Sequence, residues 1–502
     1  MRTPQSNNPL SAGNGPLYLS LPSLGLTGTL LGLFLLTAYH FWLAATLPPS
    51  PDELYYWAWA QKLQPSYFDH PPMVAYAIRF STALFGNSLT ALRLPAIGMS
   101  LVVFLVLLAI ANRGILAWLV FLTPLSLYGS VLITPDLPLA FFWMLYALWL
   151  GRINATLDGW SHDPVTRVYR ASPVAWSQWI LGGAILGFGG LSKYTMVLAV
   201  PCALVVFATR TRLRAWGPGF LLHLLIAGLL VAPVLGHFWR LDFAPLHFQW
   251  NHAMKADGFS LSQSFEFLSG QALLIGLLPL LLLPWVLMRG RDLCADPRSQ
   301  VYFWFFVLPM VFFLYRSFRL KLEGNWAIVA YLTFWPVADR LLSWSSFRTL
   351  VRGLVFLGFA VPLLLSALIF VHLIHPIERI PPKSDRFGVL RGQWDVAHSV
   401  AERFRQSPPA GPLWVSDYQW TSYLRYLGLP AQQIFPGSRP SQFTPPDQDP
   451  CAQTDLTAVQ TNDLHPEILS CFPVQKILDA IPVYSRQTKV GHIWLVQYAK
   501  QN

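Results

Sequence analysis

Residues 30–60 read LLGLFLLTAYHFWLAATLPPSPDELYYWAWA, and residues 67–72 read YFDHPP. The first stretch decides the fold. An apolar run from about residue 24 to residue 46 has the length of a helix that crosses a bilayer core, which takes about 20 residues. Pro48, Pro49 and Pro51 end it, because proline has no amide hydrogen to donate and its ring clashes with the turn before it. Asp52 and Glu53 emerge directly behind. The aromatic stretch Leu54-Tyr55-Tyr56-Trp57-Ala58-Trp59 then suits a segment lying flat at headgroup depth.

Outward from this loop the same apolar pattern repeats. Long runs fall at 24–46, 90–111, 114–132, 137–151, 174–191, 194–209, 219–238, 267–288, 300–318, 326–342 and 350–374. The expectation is an α-helical polytopic membrane protein with about eleven spans. Pro71–Phe85 is too short for a span and contains Arg79, so it is expected on or dipping into the outer face. The composition agrees. Of 502 residues, 54% are hydrophobic and 12% charged, where a soluble domain carries about 25% charged residues. Trp is abundant at 21, as expected where rings sit at the interface.

Charge placement sets the expected orientation. With the N-terminus inside, the inner loops hold Arg113; Arg152, Arg167 and Arg170; Arg210, Arg212 and Arg214; Arg289, Arg291 and Arg298; Arg340, Arg348 and Arg352. Every inner loop is basic, as the positive-inside rule requires. The outer loops collect Asp52, Glu53, Asp69, Asp136, Asp242, Asp257, Glu266 and Glu323. Counting 71–85 as a span would invert this. The net charge of +11 therefore reads as a topology signal. No zinc-type cysteine spacing or phosphate-cradling glycine loop supports a nucleic-acid or nucleotide partner.

Three segments follow. Residues 1–23 form a polar, disordered cytoplasmic N-terminus, not a cleaved signal. Residues 24–375 form the transmembrane catalytic domain, with an outer-face loop at 47–89. Residues 376–502 form a small α/β domain on the outer side, with helices at Trp394–Arg405 and Tyr418–Leu427, strands at Leu413–Val415 and His492–Tyr498, and a Pro-rich loop at 436–450. Of the four cysteines, Cys451 and Cys471 are placed for a disulfide if the tail is extracytoplasmic, with two free thiols as the alternative.

Ionisable groups at membrane depth are functional suspects, and here they gather on the outer face. Asp52 and Glu53 either cap a helix or act as acids, with Asp69 and His70 nearby and Tyr55 and Tyr67 on the same loop. Asp136, in Ile133-Thr134-Pro135-Asp136, either caps the next span or joins the acids. Lys193, after Gly189-Gly190-Leu191-Ser192, either snorkels to headgroups or binds an anionic phosphate. Arg93, Arg316, Arg319 and Lys321 run against the positive-inside trend, and Lys321-Leu322-Glu323-Gly324-Asn325-Trp326 packs charge and amide into one outer turn. His247 and His252 match no strong metal spacing, so no metal site is called. No cofactor is called for, although the chemistry would tolerate a divalent cation. Acids that accept a proton, cations that hold an anion and helices that grip a lipid chain together suit group transfer from a lipid phosphate.

Asp52-Glu53, Tyr67-Phe68-Asp69-His70-Pro71-Pro72, Thr134-Pro135-Asp136, Leu191-Ser192-Lys193 and Asn325-Trp326, in this order, resemble the bacterial membrane glycosyltransferases of the GT-C superfamily. The resembling branch holds protein O-mannosyltransferases, the lipid A aminoarabinose transferase and rhizobial lipid A galacturonosyltransferases. The resemblance implies inverting transfer from a polyprenyl-phosphate sugar to a lipid or glycan acceptor, at the periplasmic face of a bacterial inner membrane. It implies Asp52 as the base, Asp136 as a second acid and Lys193 on the donor phosphate. His70 stands where the aminoarabinose transferases carry a lysine, and aromatics follow Asp52-Glu53 where they carry an arginine, which argues against aminoarabinose as the sugar. The alternative is a lipid-linked sugar flippase, which predicts charges at the bilayer midplane and repeated halves.

Overall fold

A computed structural model describes residues 25–111, 114–162, 174–210, 213–254, 258–344, 348–409, 413–433, 441–444, 455–461 and 474–499. The N-terminal tail, both cysteines of the expected disulfide and most of the 436–450 loop lie outside the described residues. The helices are α1 (Leu26–Thr46), α2 (Pro51–Gln61), α3 (Met73–Phe85), α4 (Leu89–Ile110), α5 (Gly114–Phe121), α6 (Pro124–Gly129), α7 (Asp136–His162) and α8 (Trp176–Gly190). A 3₁₀ turn at Tyr194–Leu198 leads into α9 (Ala199–Arg210), followed by α10 (Leu213–Trp239), α11 (Ala244–Met254), α12 (Leu261–Leu274), α13 (Leu278–Met288) and α14 (Gly290–Leu293). The series continues with α15 (Pro297–Ser317), α16 (Ile328–Trp344), α17 (Arg348–Ile374), α18 (Arg386–Gln406) and α19 (Tyr418–Tyr426).

Among the described residues, five helices are each long and apolar enough to cross a membrane: α1, α4, α15, Ala215–Trp239 within α10 and Arg352–Ile374 within α17. The pair α12 and α13 passes only jointly, across a 105° bend. The remaining expected spans are helical but divided or short. The run at 114–132 breaks into α5 and α6 at Thr123-Pro124, where proline can start a helix but not continue one. At about 1.5 Å per residue, the 15 residues of α8 fall short of a bilayer core on their own. The stretch expected at the surface is α3, 13 residues that bury Val74, Ala75, Ile78 and Ser81 and expose Phe80, Leu84 and Phe85.

The bundle closes where small residues let backbones approach. A Cβ on Gly183 of α8 would lie 2.5 Å from the His223 carbonyl oxygen on α10, and one on Gly187 would lie 2.7 Å from Leu230. Trp143, Tyr146, Trp149, Trp179, Phe207 and Phe305 fill the interior beside this seam.

Beyond α17 the chain forms a mixed five-stranded sheet in the order β2-β1-β3-β5-β4, from β1 (Leu413–Val415), β2 (Ala431–Gln433), β3 (Asp455–Thr461), β4 (Val474–Ser485) and β5 (Thr488–Ala499). β1 pairs in parallel with β2 and β3, and β5 pairs antiparallel with β3 and β4. α18 packs on β4 so closely that a Cβ on Gly392 would overlap the Tyr484 carbonyl oxygen. Sequence periodicity located β1, α19, part of α18 and part of β5; it did not find β2, β3 or β4. One apolar cluster joins this domain to the outer loop: Leu54, Tyr55, Trp57 and Trp59 of α2 share a core with Val396, Val400, Trp420, Tyr423 and Leu424.

Candidate active site

Ser50 starts α2 with a capping box. Its hydroxyl accepts from the Glu53 amide at 3.2 Å, and its own amide donates to Glu53 Oε2 at 3.0 Å. The two readings of Asp52-Glu53 therefore divide between the two residues. Glu53 completes the cap that Ser50 begins and is fully buried; Asp52, one position earlier, is exposed.

Glu53 does more than cap. Arg93 of α4 donates to it from Nε and Nη2, both at 2.8 Å, and both side chains are 0% exposed. The remaining Arg93 donors bind the carbonyls of Ala44, Leu47 and Pro48, at and just beyond the end of α1. These are carbonyls that a helix end leaves without intrahelical partners. The Ile133 amide also reaches Glu53 Oε1, at 3.4 Å. Glu53 and Arg93 thus tie together the end of α1, the start of α2, α4 and the approach to α7. Their donors and acceptors are spent on each other and on backbone.

That approach ends in Asp136, 5% exposed at the start of α7. Its Oδ1 accepts from Lys193 Nζ at 2.7 Å, and its Oδ2 accepts from Asn325 Nδ2 at 2.8 Å. Lys193 also sits 5.9 Å from the centroid of the Trp326 ring. Lys193 comes from the turn after α8, which is anchored where the Met73 amide donates to the Leu191 carbonyl at 2.9 Å. Three residues from distant segments meet in one cluster.

The rest of the outer loop packs around these groups. Asp69, 6% exposed, accepts from the Tyr55 hydroxyl at 2.7 Å. The His70 ring lies 6.2 Å from that of Tyr56. Tyr67 stacks on Trp59 at 4.5 Å and donates to the Trp59 carbonyl at 3.0 Å, so it shapes the loop from a buried position. Lys321 pairs with Glu266 of α12 at 2.9 Å on the exposed surface. His247 is exposed on α11, and the side chain of His252 falls outside the described residues. Among the described residues no group of three His, Cys, Asp or Glu is placed to hold a metal ion.

Two site residues were not singled out from sequence. Tyr56 is buried, and its hydroxyl is held protonated first by burial and then by the charges of Asp52, Asp69 and Asp136 together with Tyr418. All three carboxylates therefore act on one phenol. A signal existed: Asp52 and Tyr56 stand four apart, on one face of a helix. Tyr418 of α19 donates to Asp52 Oδ1 at 3.0 Å from 366 residues away, and no local pattern pointed to it.

Comparison with known proteins fits this arrangement. Residues 69–160 match the family described as dolichyl-phosphate-mannose-protein mannosyltransferase. The lipid A galacturonosyltransferase RgtD of Rhizobium johnstonii is 25% identical over 336 residues, 64% of this chain and 66% of that protein, just under two thirds of its length. Two crystal structures of ArnT from Cupriavidus metallidurans share the fold at 14% identity, each covering 94% of this chain and 98% of ArnT. The TM-score is 0.60 for the apo state and 0.57 for the form bound to undecaprenyl phosphate.

Proposed function

We infer that this chain, a membrane glycosyltransferase of the GT-C type, moves a sugar from a polyprenyl-phosphate carrier to a hydroxyl or phosphate of an envelope glycolipid. The relatives act as the starting point: RgtD is a lipid A galacturonosyltransferase, and ArnT has been crystallised with undecaprenyl phosphate. The single observation that carries the reading is the convergence of an exposed carboxylate, Asp52, with the half-buried Asp136–Lys193–Asn325 cluster around Tyr56.

Roles follow from exposure and charge. Asp52 is the accessible acid, so it takes the proton from the acceptor hydroxyl. The acceptor oxygen forms a bond to the anomeric carbon as the bond from that carbon to the phosphate oxygen breaks. The electron pair leaves with the polyprenyl phosphate. A single displacement inverts the anomeric centre. Lys193 meets the charge that grows on the leaving phosphate. Asp136, itself held by Asn325, keeps the ammonium in place, and Tyr56 stays a hydroxyl donor among the acids. Both substrates are lipids, so the bilayer confines them and lowers the cost of their meeting.

The reading also sets location. Basic inner loops and acidic outer loops support a bacterial inner membrane protein with its site and C-terminal domain on the periplasmic side. A transporter is not favoured, because its charges belong near the bilayer midplane.

The test is transfer in reconstituted vesicles, using undecaprenyl-phosphate sugars with lipid A or core glycolipid, read by mass spectrometry of the acceptor. Wild-type protein should give the glycosylated product and Asp52→Asn should not. Full transfer by Asp52→Asn would remove the base from this scheme.

A further inference from the structure

The contacts between the C-terminal domain and the outer loop run through the residues that form the site. Asp417 caps α19, accepting from the Trp420 amide at 2.8 Å and from the Thr461 hydroxyl of β3 at 2.9 Å. Tyr418, the first residue of the helix, is therefore fixed by the sheet behind it. Its ring lies 4.9 Å from that of Tyr55, and its hydroxyl donates to Asp52. Two more tyrosines of α19 fasten the same face. Tyr423 donates to the Pro49 carbonyl at 3.3 Å, and the Tyr426 ring meets Trp57 at 4.8 Å. Gln442 reaches the other acid indirectly: its amide donates to the Tyr55 hydroxyl at 2.8 Å, which in turn donates to Asp69.

We propose that Tyr418 is a positioning residue for sugar transfer, supplied by the C-terminal domain to hold the Asp52 carboxylate in the orientation that accepts the acceptor's proton. The proposal rests on the reading of Asp52 as the base. Fastening does not require this bond. The shared apolar core, Tyr423 and Tyr426 already join the domain to α2, and none of them needs a donor aimed at an exposed carboxylate. A carboxylate on a short side chain at a helix start rotates readily in water. A phenol bound to Oδ1 and buttressed by Tyr55 sets that rotation, and with it the direction in which Oδ2 faces. The C-terminal domain is on this account a working wall of the site.

The experiment compares Tyr418→Phe, Tyr423→Phe and Asp52→Asn in vesicles, measuring kcat, KM for donor and acceptor, and thermal unfolding. Tyr418→Phe keeps the ring and its packing. It should lower kcat by about tenfold, the rate equivalent of one charge-assisted hydrogen bond, with KM and the unfolding midpoint unchanged. Tyr423→Phe, which removes a hydroxyl bound to a backbone carbonyl, should keep kcat within about twofold of wild type, well under the tenfold that 1.36 kcal/mol represents. The proposal is overturned if Tyr418→Phe keeps full kcat while Asp52→Asn is dead. It is also overturned if Tyr418→Phe and Tyr423→Phe lose kcat and thermal stability in parallel, which would make both simple fasteners. If Asp52→Asn keeps activity, the base assignment fails first and the proposal falls with it.

Discussion

Adjacent acids in this protein should fail in opposite ways. Glu53 is 0% exposed and shares its oxygens between Arg93, the Ser50 amide and the Ile133 amide. Glu53→Gln leaves the Arg93 guanidinium buried without its counter-charge. Breaking a buried pair from one side costs about 3–5 kcal/mol, because the orphaned charge stays desolvated. Gln can still hold the N3 place of the capping box, so the loss of the pair, about 3–5 kcal/mol, is the working figure. Asp52 is exposed, and Asp52→Asn keeps its shape and its place at the start of α2. Such a surface change shifts stability by no more than about 0.5 kcal/mol. Its cost falls on rate: removing a general base lowers kcat by about 10²–10⁴-fold. The assay pairs unfolding in detergent with transfer in vesicles. Glu53→Gln should unfold early, and the double change Glu53→Leu with Arg93→Met should recover little of the loss, because it leaves the carbonyls of Ala44, Leu47 and Pro48 without their donor. Asp52→Asn should unfold with wild type and transfer nothing. A Glu53→Gln protein with unchanged stability and no activity would refute the division of roles, and so would an Asp52→Asn protein that unfolds early.

Lys193→Met removes the cation that meets the charge growing on the leaving phosphate, so kcat should fall about tenfold to a hundredfold, the worth of one hydrogen bond to a charged group. Single-turnover transfer checks it, and an unchanged rate would place the phosphate elsewhere. Gly183→Val pushes a side chain into the His223 carbonyl and should destabilise the α8–α10 seam by about 1–3 kcal/mol, read as earlier unfolding in detergent. At the joint between α17 and the C-terminal domain, burial opposes the charge on Asp385, but the Gly388 amide, His372 and Arg486 outweigh it and hold the carboxyl below its usual range. The sign follows: this contribution is complete above about pH 4 and is lost as pH falls toward the depressed value. Limited proteolysis across residues 376–385 should therefore rise in acid, and Asp385→Asn should show the higher cleavage already at neutral pH.

How much of this was legible in the sequence depends on how local each signal is. Apolar length is a local property, and the long runs of α1, α4, α10, α15 and α17 stand as spans. Breaks are harder to see. Thr123-Pro124 divides an apolar run of ordinary length, and Gly276, at φ 108°, turns the chain between α12 and α13 where only a residue without a side chain is at ease. Composition says nothing of a bend. In the C-terminal domain, β5 carries an alternating pattern and was partly found. β1 and β2 are three residues each and are held by their parallel neighbours, so no periodicity of their own announced β2.

The site divides along the same line. Sequence showed that charges gather after the first span, but sequence cannot show which charges cancel. Glu53 and Arg93 stand 40 residues apart and neutralise each other out of water. Lys193 and Asp136 stand 57 apart, and their pair keeps a partly open side, with the two side chains 12% and 7% exposed. The first pair builds the frame, and the second stays partly open. Burial separates them, and burial is a property of the fold. The same logic accounts for Tyr418. A residue that completes a site from a separate domain has no neighbour in sequence that predicts its role, and only the shared core of α2 and α19 brings its hydroxyl to Asp52.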